Sequence, residues 1–138
     1  TDEYIQRIKD EIETVNKLKE EYDCKPQDLI CCSCPSIRQC HFKVHADVQE
    51  PYYEEFKNLK GIEHFIEPVA GEDRWAIDTV GINIEMLKEA GLKAENIVDS
   101  GRISSCVKGG HYFIVEMENL FLTVNSATME ILNFRRKN

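Results

Sequence analysis

Apolar residues at the start of the chain recur at steps of three and four: Tyr4, Ile5, Ile8, Ile12, Val15, Leu18 and Tyr22. That spacing places them on one face of a helix, with Lys9, Asp10, Glu13, Lys17 and Glu20 on the other. Thr1 or Asp2 can cap its start, and the 23–28 stretch with Pro26 ends it. A single apolar stripe means that this helix covers one side of something else. Residues 29–34 are short and almost wholly apolar, which predicts a fully buried strand closed by a Pro35-Ser36 turn. A second strand is expected over 40–44, then a helix over 46–59 with Pro51 in its first turn or at a kink. A strand over 64–69 precedes a Gly71-Glu72-Asp73 turn. Trp75, Ala76 and Ile77 lead into a helix over 78–90, with Val80, Ile84, Met86 and Leu87 inward and Gly91 as its stop. The remaining strands are 96–98, 112–115, 120–124 and 129–134, with a hairpin around Glu118-Asn119. Helices and strands alternate early and strands cluster late, so the pattern predicts an α+β fold, a mixed β-sheet covered by helices. No repeat or linker divides the 138 residues, which are expected to form a single domain or one piece of one.

Composition narrows the function classes. Apolar residues at 42% and charged residues at 30% describe a folded chain, not a disordered one. A net charge of -8 excludes nucleic acid as a general partner, because phosphate binding needs a basic face. The one basic cluster, Arg135, Arg136 and Lys137, reads as a solvated end. No apolar run approaches the ~20 residues that span a bilayer, and no signal-peptide pattern opens the chain, so no membrane partner is expected. Cysteine is too sparse for a disulfide scaffold, and the adjacent Cys31 and Cys32 suit a reducing, cytoplasmic setting. The opening on Thr1, straight into a helix, reads as a cut with something missing upstream.

The candidate chemistry lies in the segment from Cys31 to His45. Cys31, Cys32, Cys34 and Cys40 are four of the six cysteines, and His41 and His45 two of the four histidines. One reading is a small metal-binding module built from Cys32, Cys34, Cys40 and His41 or His45. It lacks the C-x-x-C knuckle of structural zinc sites, and on a strand Cys40 and His41 would point to opposite faces. A second reading makes Cys40 a nucleophile activated by its neighbours Arg38 and His41, with Cys106 beside Gly109-Gly110 and His111 as a lone alternative. The bland reading is that the cysteines are small buried apolar residues. Asp78, Glu85 and Glu89 acquire no partner from sequence and read as solvated face.

The run from Asp28 to Val44 resembles the "hydrophobic strand, G-P-S-I-G-x-C-C-Y-E-V" motif of the laccase-domain family. Its members are polyphenol-oxidase-like proteins also described as purine nucleoside phosphorylases. Trp75-Ala76-Ile77-Asp78-Thr79-Val80-Gly81-Ile82-Asn83 is similar to the family's "W-x-L-D-L-x-x-A-N". Leu87 to Ile97 resembles its "L-x-x-A-G-V-x-x-x-x-I", and Ser100 to Cys106 its "S-G-x-C-T-x-C". The resemblance implies half of a laccase-domain α/β/β/α sandwich, its C-terminal portion. It would make Cys34, Ser36, Arg38, Cys40 and His41 a loop bordering a pocket, with Arg102 and Cys106 on a second loop.

The family's metal-binding histidine, its A-D-C cysteine and its H-x-G-W-R-G histidine have no counterpart in this chain. The resemblance therefore implies no cofactor on these residues, and zinc or copper only with the upstream half present. The implied chemistry is metal-dependent phosphorolysis or deamination of a purine nucleoside, with this chain inactive alone. Its partner would be the missing upstream half or a further copy in a homo-oligomer. The alternatives are the Cys/His metal module and a non-catalytic interaction domain or pseudoenzyme. Three departures stand out: Cys34 for a glycine, Lys43 for a glutamate, and Glu116 and Met117 where the family's "F-F-S-Y-R-R-D" strand has paired arginines. Losing two cations there removes an anchor for an anion.

Overall fold

In a computed structural model, which describes residues 2–33, 38–99, 111–117, 120–125 and 131–136, the opening apolar period folds as helix α1 (Asp2–Tyr22). Thr1 lies outside the described residues. The helix ends where Asp23 turns to a positive φ of 53°, and a 3₁₀ turn at Pro26–Asp28 leads into strand β1 (Ile30–Ser33). The stripe serves two separate cores. Ile5 and Ile8 join Phe42, Val44, Tyr52, Phe56, Leu59, Ile66, Ile77 and Ile82, whereas Val15 and Leu18 join Leu29, Cys31, Leu87 and Leu92. Burying each such large apolar side chain stabilises the fold by roughly 1.5–3 kcal/mol. Thr14 is buried in α1 because its hydroxyl donates to the Asp10 carbonyl at 2.8 Å.

The first core belongs to a three-stranded antiparallel sheet of β2 (Lys43–Val44), β3 (Ile66–Pro68) and β4 (Trp75–Ile77), in the order β2-β4-β3. Helix α2 (Ala46–Phe56) packs on it and carries Pro51 in its interior, past the first turn. Lys9 of α1 reaches Glu55 of α2 at 2.7 Å. The second core lies under β1. Helix α4 (Thr79–Glu89) contributes to both, through Ile82 to the first and Leu87 to the second. After α4 a 3₁₀ turn at Ala94–Asn96 delivers β5 (Ile97–Asp99), which pairs parallel with β1. Strands β6 (His111–Met117), β7 (Leu120–Asn125) and β8 (Ile131–Arg136) complete a five-stranded mixed sheet in the order β5-β1-β6-β7-β8. The fold is α+β, as the alternation of elements predicts. Among the described residues no helix is long and apolar enough to cross a membrane.

Four expectations need correction. Residues 40–44 are not one strand: Cys40 and His41 sit in a turn and only Lys43 and Val44 pair. The Arg38 carbonyl accepts from both His41 N–H (2.9 Å) and Phe42 N–H (3.0 Å), a local closure that displaces ladder pairing. The segment expected as a strand over 64–69 begins inside a short helix, α3 (Ile62–Phe65), launched from Gly61 at φ 81°. The second helix ends at Phe56 rather than 59. Finally, β1 is not buried on both faces. Leu29 and Cys31 point into the second core while Ile30 is 39% exposed, the two-residue alternation of a strand covered on one side.

Candidate functional site at the β1/β5 edge

The register of the large sheet gathers three chain ends at one edge. Ser33, the last residue of β1, pairs with Asp99, the last of β5, and on its other side with His111, the first of β6. Ser33, Asp99 and His111 therefore stand side by side at one end of the sheet. In open sheets with parallel strands, ligands bind outside the carboxyl ends of such strands. Cys34, Ser36, Arg102 and Cys106 lie outside the described residues. Arg38, Cys40 and His41 are described, and one turn brings them together.

Arg38 ties the two segments. Its Nη1 donates to Asp99 Oδ2 at 2.8 Å and its Nη2 to Asp99 Oδ1 at 2.5 Å, a two-pronged bridge across 61 positions of chain. The Asp99 hydrogen bond holds the guanidinium proton more tightly than usual; partial burial opposes this, and the charges of Asp99, Asp78 and Cys40 add to it. The bridge joins the turn that follows β1 to the end of β5. Beside it, Gln39 Nε2 donates to the carbonyls of His64 (2.9 Å) and Ala76 (3.3 Å), which pins the turn to α3 and β4. Ile77 N–H donates to the Phe42 carbonyl at 3.0 Å.

On the outer side of the turn, Cys40 Sγ and His41 Nδ1 are 2.9 Å apart and both residues are exposed. The turn brings these neighbours to the same side, which a strand would have prevented. His45 is separate: its Nδ1 meets the Asp73 carbonyl at 3.1 Å, at the start of α2. Cys31 is fully buried and Cys32 half-buried on β1. Among the described residues, no three of His, Cys, Asp or Glu are grouped to hold a metal ion. The residues described here do not fit a metal centre.

Sequence reasoning missed Asp99, Asp78 and Gln39. Asp78 is no solvated carboxylate: it caps α4 by accepting from Gly81 N–H at 2.9 Å. Glu85 lies 3.6 Å from Lys88. The one available signal for Asp99 was its place at the end of a β-branched pair, just before Ser100-Gly101. The register also locates Glu116 and Met117, paired with Phe121 and Leu120 at the hairpin end of β6. They stand about 17 Å and about 20 Å along the strand from His111, by the strand rise per residue. These two positions thus fall away from the β1/β5 edge.

A family model described as multi-copper polyphenol oxidoreductase laccase matches residues 7–114, from α1 through most of β6. The chain belongs to this laccase-domain family. Among solved structures, the laccase-domain chain is similar to the Bacillus licheniformis hypothetical protein YfiH, with a TM-score of 0.59 at 18% identity. The match covers 71% of this chain and 36% of YfiH, so this chain spans about a third of that protein's length. No curated protein matches.

Arg38→Ala tests the clasp. With the Arg38 side chain 16% and the Asp99 side chain 37% exposed, water can solvate part of what is lost. The expected cost is about 1 kcal/mol, with a coupling of similar size in a double-mutant cycle with Asp99→Ala. Urea denaturation of the four proteins measures both.

Proposed function

We propose that this chain is the C-terminal, loop-bearing portion of a laccase-type domain whose completed form acts on a purine nucleoside. The observation that carries this is the edge where β1 and β5 end together and Arg38 bridges to Asp99. On this reading the end of the sheet fixed by the charge-assisted Arg38–Asp99 bridge borders the pocket, and other residues supply its opposite side. The family's metal-ligand motifs have no counterpart in the sequence, and among the described residues no three of His, Cys, Asp or Glu are grouped to hold a metal ion. On this reading, zinc or copper belongs to the upstream segment, and the 138-residue chain by itself is inactive. The partner completing the site is that segment, or a further copy in a homo-oligomer, in the cytoplasm where free thiols persist.

The test is incubation of the purified chain with adenosine or inosine, phosphate and zinc. The expected result is no ribose phosphate and no deaminated base above the protein-free rate. Clear turnover by the chain alone would overturn the reading. Activity that appears only when the upstream segment is supplied would support it.

A further inference from the structure

We propose that Arg38 and Gln39 form a joint that couples the β1/β5 end of the large sheet to the small sheet, so that opening the clasp at one is felt at the other. This rests on the hydrogen bonds of the turn and not on the nucleoside reading. The two sheets lie over separate cores. Helices α1 and α4 contribute to both, but they join them through apolar burial, which is non-directional. The turn joins them by directional bonds. Arg38 grips Asp99, the last residue of β5, through both carboxylate oxygens. Its neighbour Gln39 donates from Nε2 to the His64 carbonyl at 2.9 Å and to the Ala76 carbonyl at 3.3 Å. One amide group therefore brackets α3 and the middle of β4.

Backbone bonds complete the connection. The Arg38 carbonyl accepts from the His41 and Phe42 N–H groups, and the Phe42 carbonyl accepts from Ile77 N–H at 3.0 Å. Ile77 lies in β4 with 0% exposure, and Asp78 beside it caps α4. From the Asp99 carboxylate to the start of α4, each step is a hydrogen bond or a short stretch of backbone. The bridge is either made or broken, which gives the joint two states that both ends can bias. The Asp99 end is the one that opens, because that side chain is 37% exposed whereas Ile77 is shielded. With the clasp closed, the end of β5 and the middle of β4 are held to one turn. With it open, residues 38–42 loosen together and β4 loses a support anchored in the large sheet. Such coupling is reciprocal, so a disturbance of α3 or β4 also weakens the clasp. An occupant of the β1/β5 edge that takes Arg38 or Asp99 from its partner thereby acts on the small sheet.

The experiment is native-state hydrogen exchange, read by NMR on the full 138-residue chain. Asp99→Ala is expected to speed exchange of the Phe42 and Ile77 amides by about fivefold, the effect of losing a partly exposed bridge. Asp99→Asn, which keeps the side chain's size, is the second variant should the first fail to fold. The amides of Val15 in α1 and Tyr52 in α2 lie in the two cores and outside the turn, and are expected to stay within about twofold. In the other direction, Gln39→Ala is expected to speed exchange of the Arg38 guanidinium protons by about fivefold. An Ile77 amide that stays unchanged in both Asp99 variants would overturn the proposal, even if Phe42 responds, because the coupling would then stop at the turn. A rise of equal size at Val15 and Tyr52 would overturn it too, as a global loss of stability. So would Arg38 protons that are indifferent to Gln39→Ala.

Discussion

Tyr52→Ala should cost the fold roughly 3–5 kcal/mol, the range for emptying a buried aromatic position. Tyr52 has 0% exposure and sits between two other rings, 6.4 Å from Phe42 in an edge arrangement and 6.1 Å from Phe56. Whole-domain stabilities are about 5–15 kcal/mol, so a loss of this size removes a third or more of the margin. Thermal or urea denaturation checks it, with Tyr52→Phe as the control that keeps the ring and changes stability far less. A loss below about 1 kcal/mol would show that the first core repacks freely, contrary to the dense interiors of folded proteins. The effect should reach the site as well. Phe42 closes the Arg38 turn, so the alanine variant should lose the Cys40–His41 pairing before it unfolds globally.

Gly81→Ala should destabilise the chain by about 1–3 kcal/mol, the reverse of the usual gain from replacing a helical glycine by alanine. A Cβ at this position would lie 2.6 Å from Asp78 Oδ2 and 2.7 Å from two ring carbons of Phe65. Neither neighbour can retreat cheaply. The Asp78 carboxylate is held by the N–H of Gly81 itself, and Phe65 packs against the first core. Relief therefore means giving up the cap of α4 or moving α3. Asp78→Ala alone should cost about 1 kcal/mol through the lost cap. If the clash with the carboxylate dominates, the double variant should cost less than the sum of the two single ones. Denaturation midpoints of the three variants decide this.

These positions also show what the sequence could and could not reveal. The 3.6-residue period of α1 and the late cluster of strands were legible because burial on one face imposes a regular pattern. So was the helix after Trp75, through its apolar spacing and the Gly91 stop, where φ is 110°. The Arg38 turn was not legible. Cys40, Phe42 and Val44 have the composition of a strand, and only the doubly accepting Arg38 carbonyl shows that the chain folds back there. Helix α3 is a single turn, too short to show a period. The site was half visible: the loops could be named from motifs, but the Arg38–Asp99 bridge depends on a parallel pairing that no local pattern encodes. Cys40 and His41 were singled out as neighbours in sequence, and the turn is what makes them partners.

The parallel pairing of β1 with β5 has one more consequence, for the order in which the chain assembles. Cys31 meets Ile97 only after the whole of β2, α2, α3, β3, β4 and α4 has been traversed. All pairings of the small sheet, by contrast, lie between Lys43 and Ile77. Closing long loops is entropically costly and slow, so nearby contacts form first. The small sheet should therefore behave as a pre-assembled insert that carries the two halves of the large sheet toward each other. Pulsed hydrogen exchange during refolding should protect the amides of β3 and β4 before those of β1 and β5, and the rim bearing the two loops should be the last part of the chain to take shape.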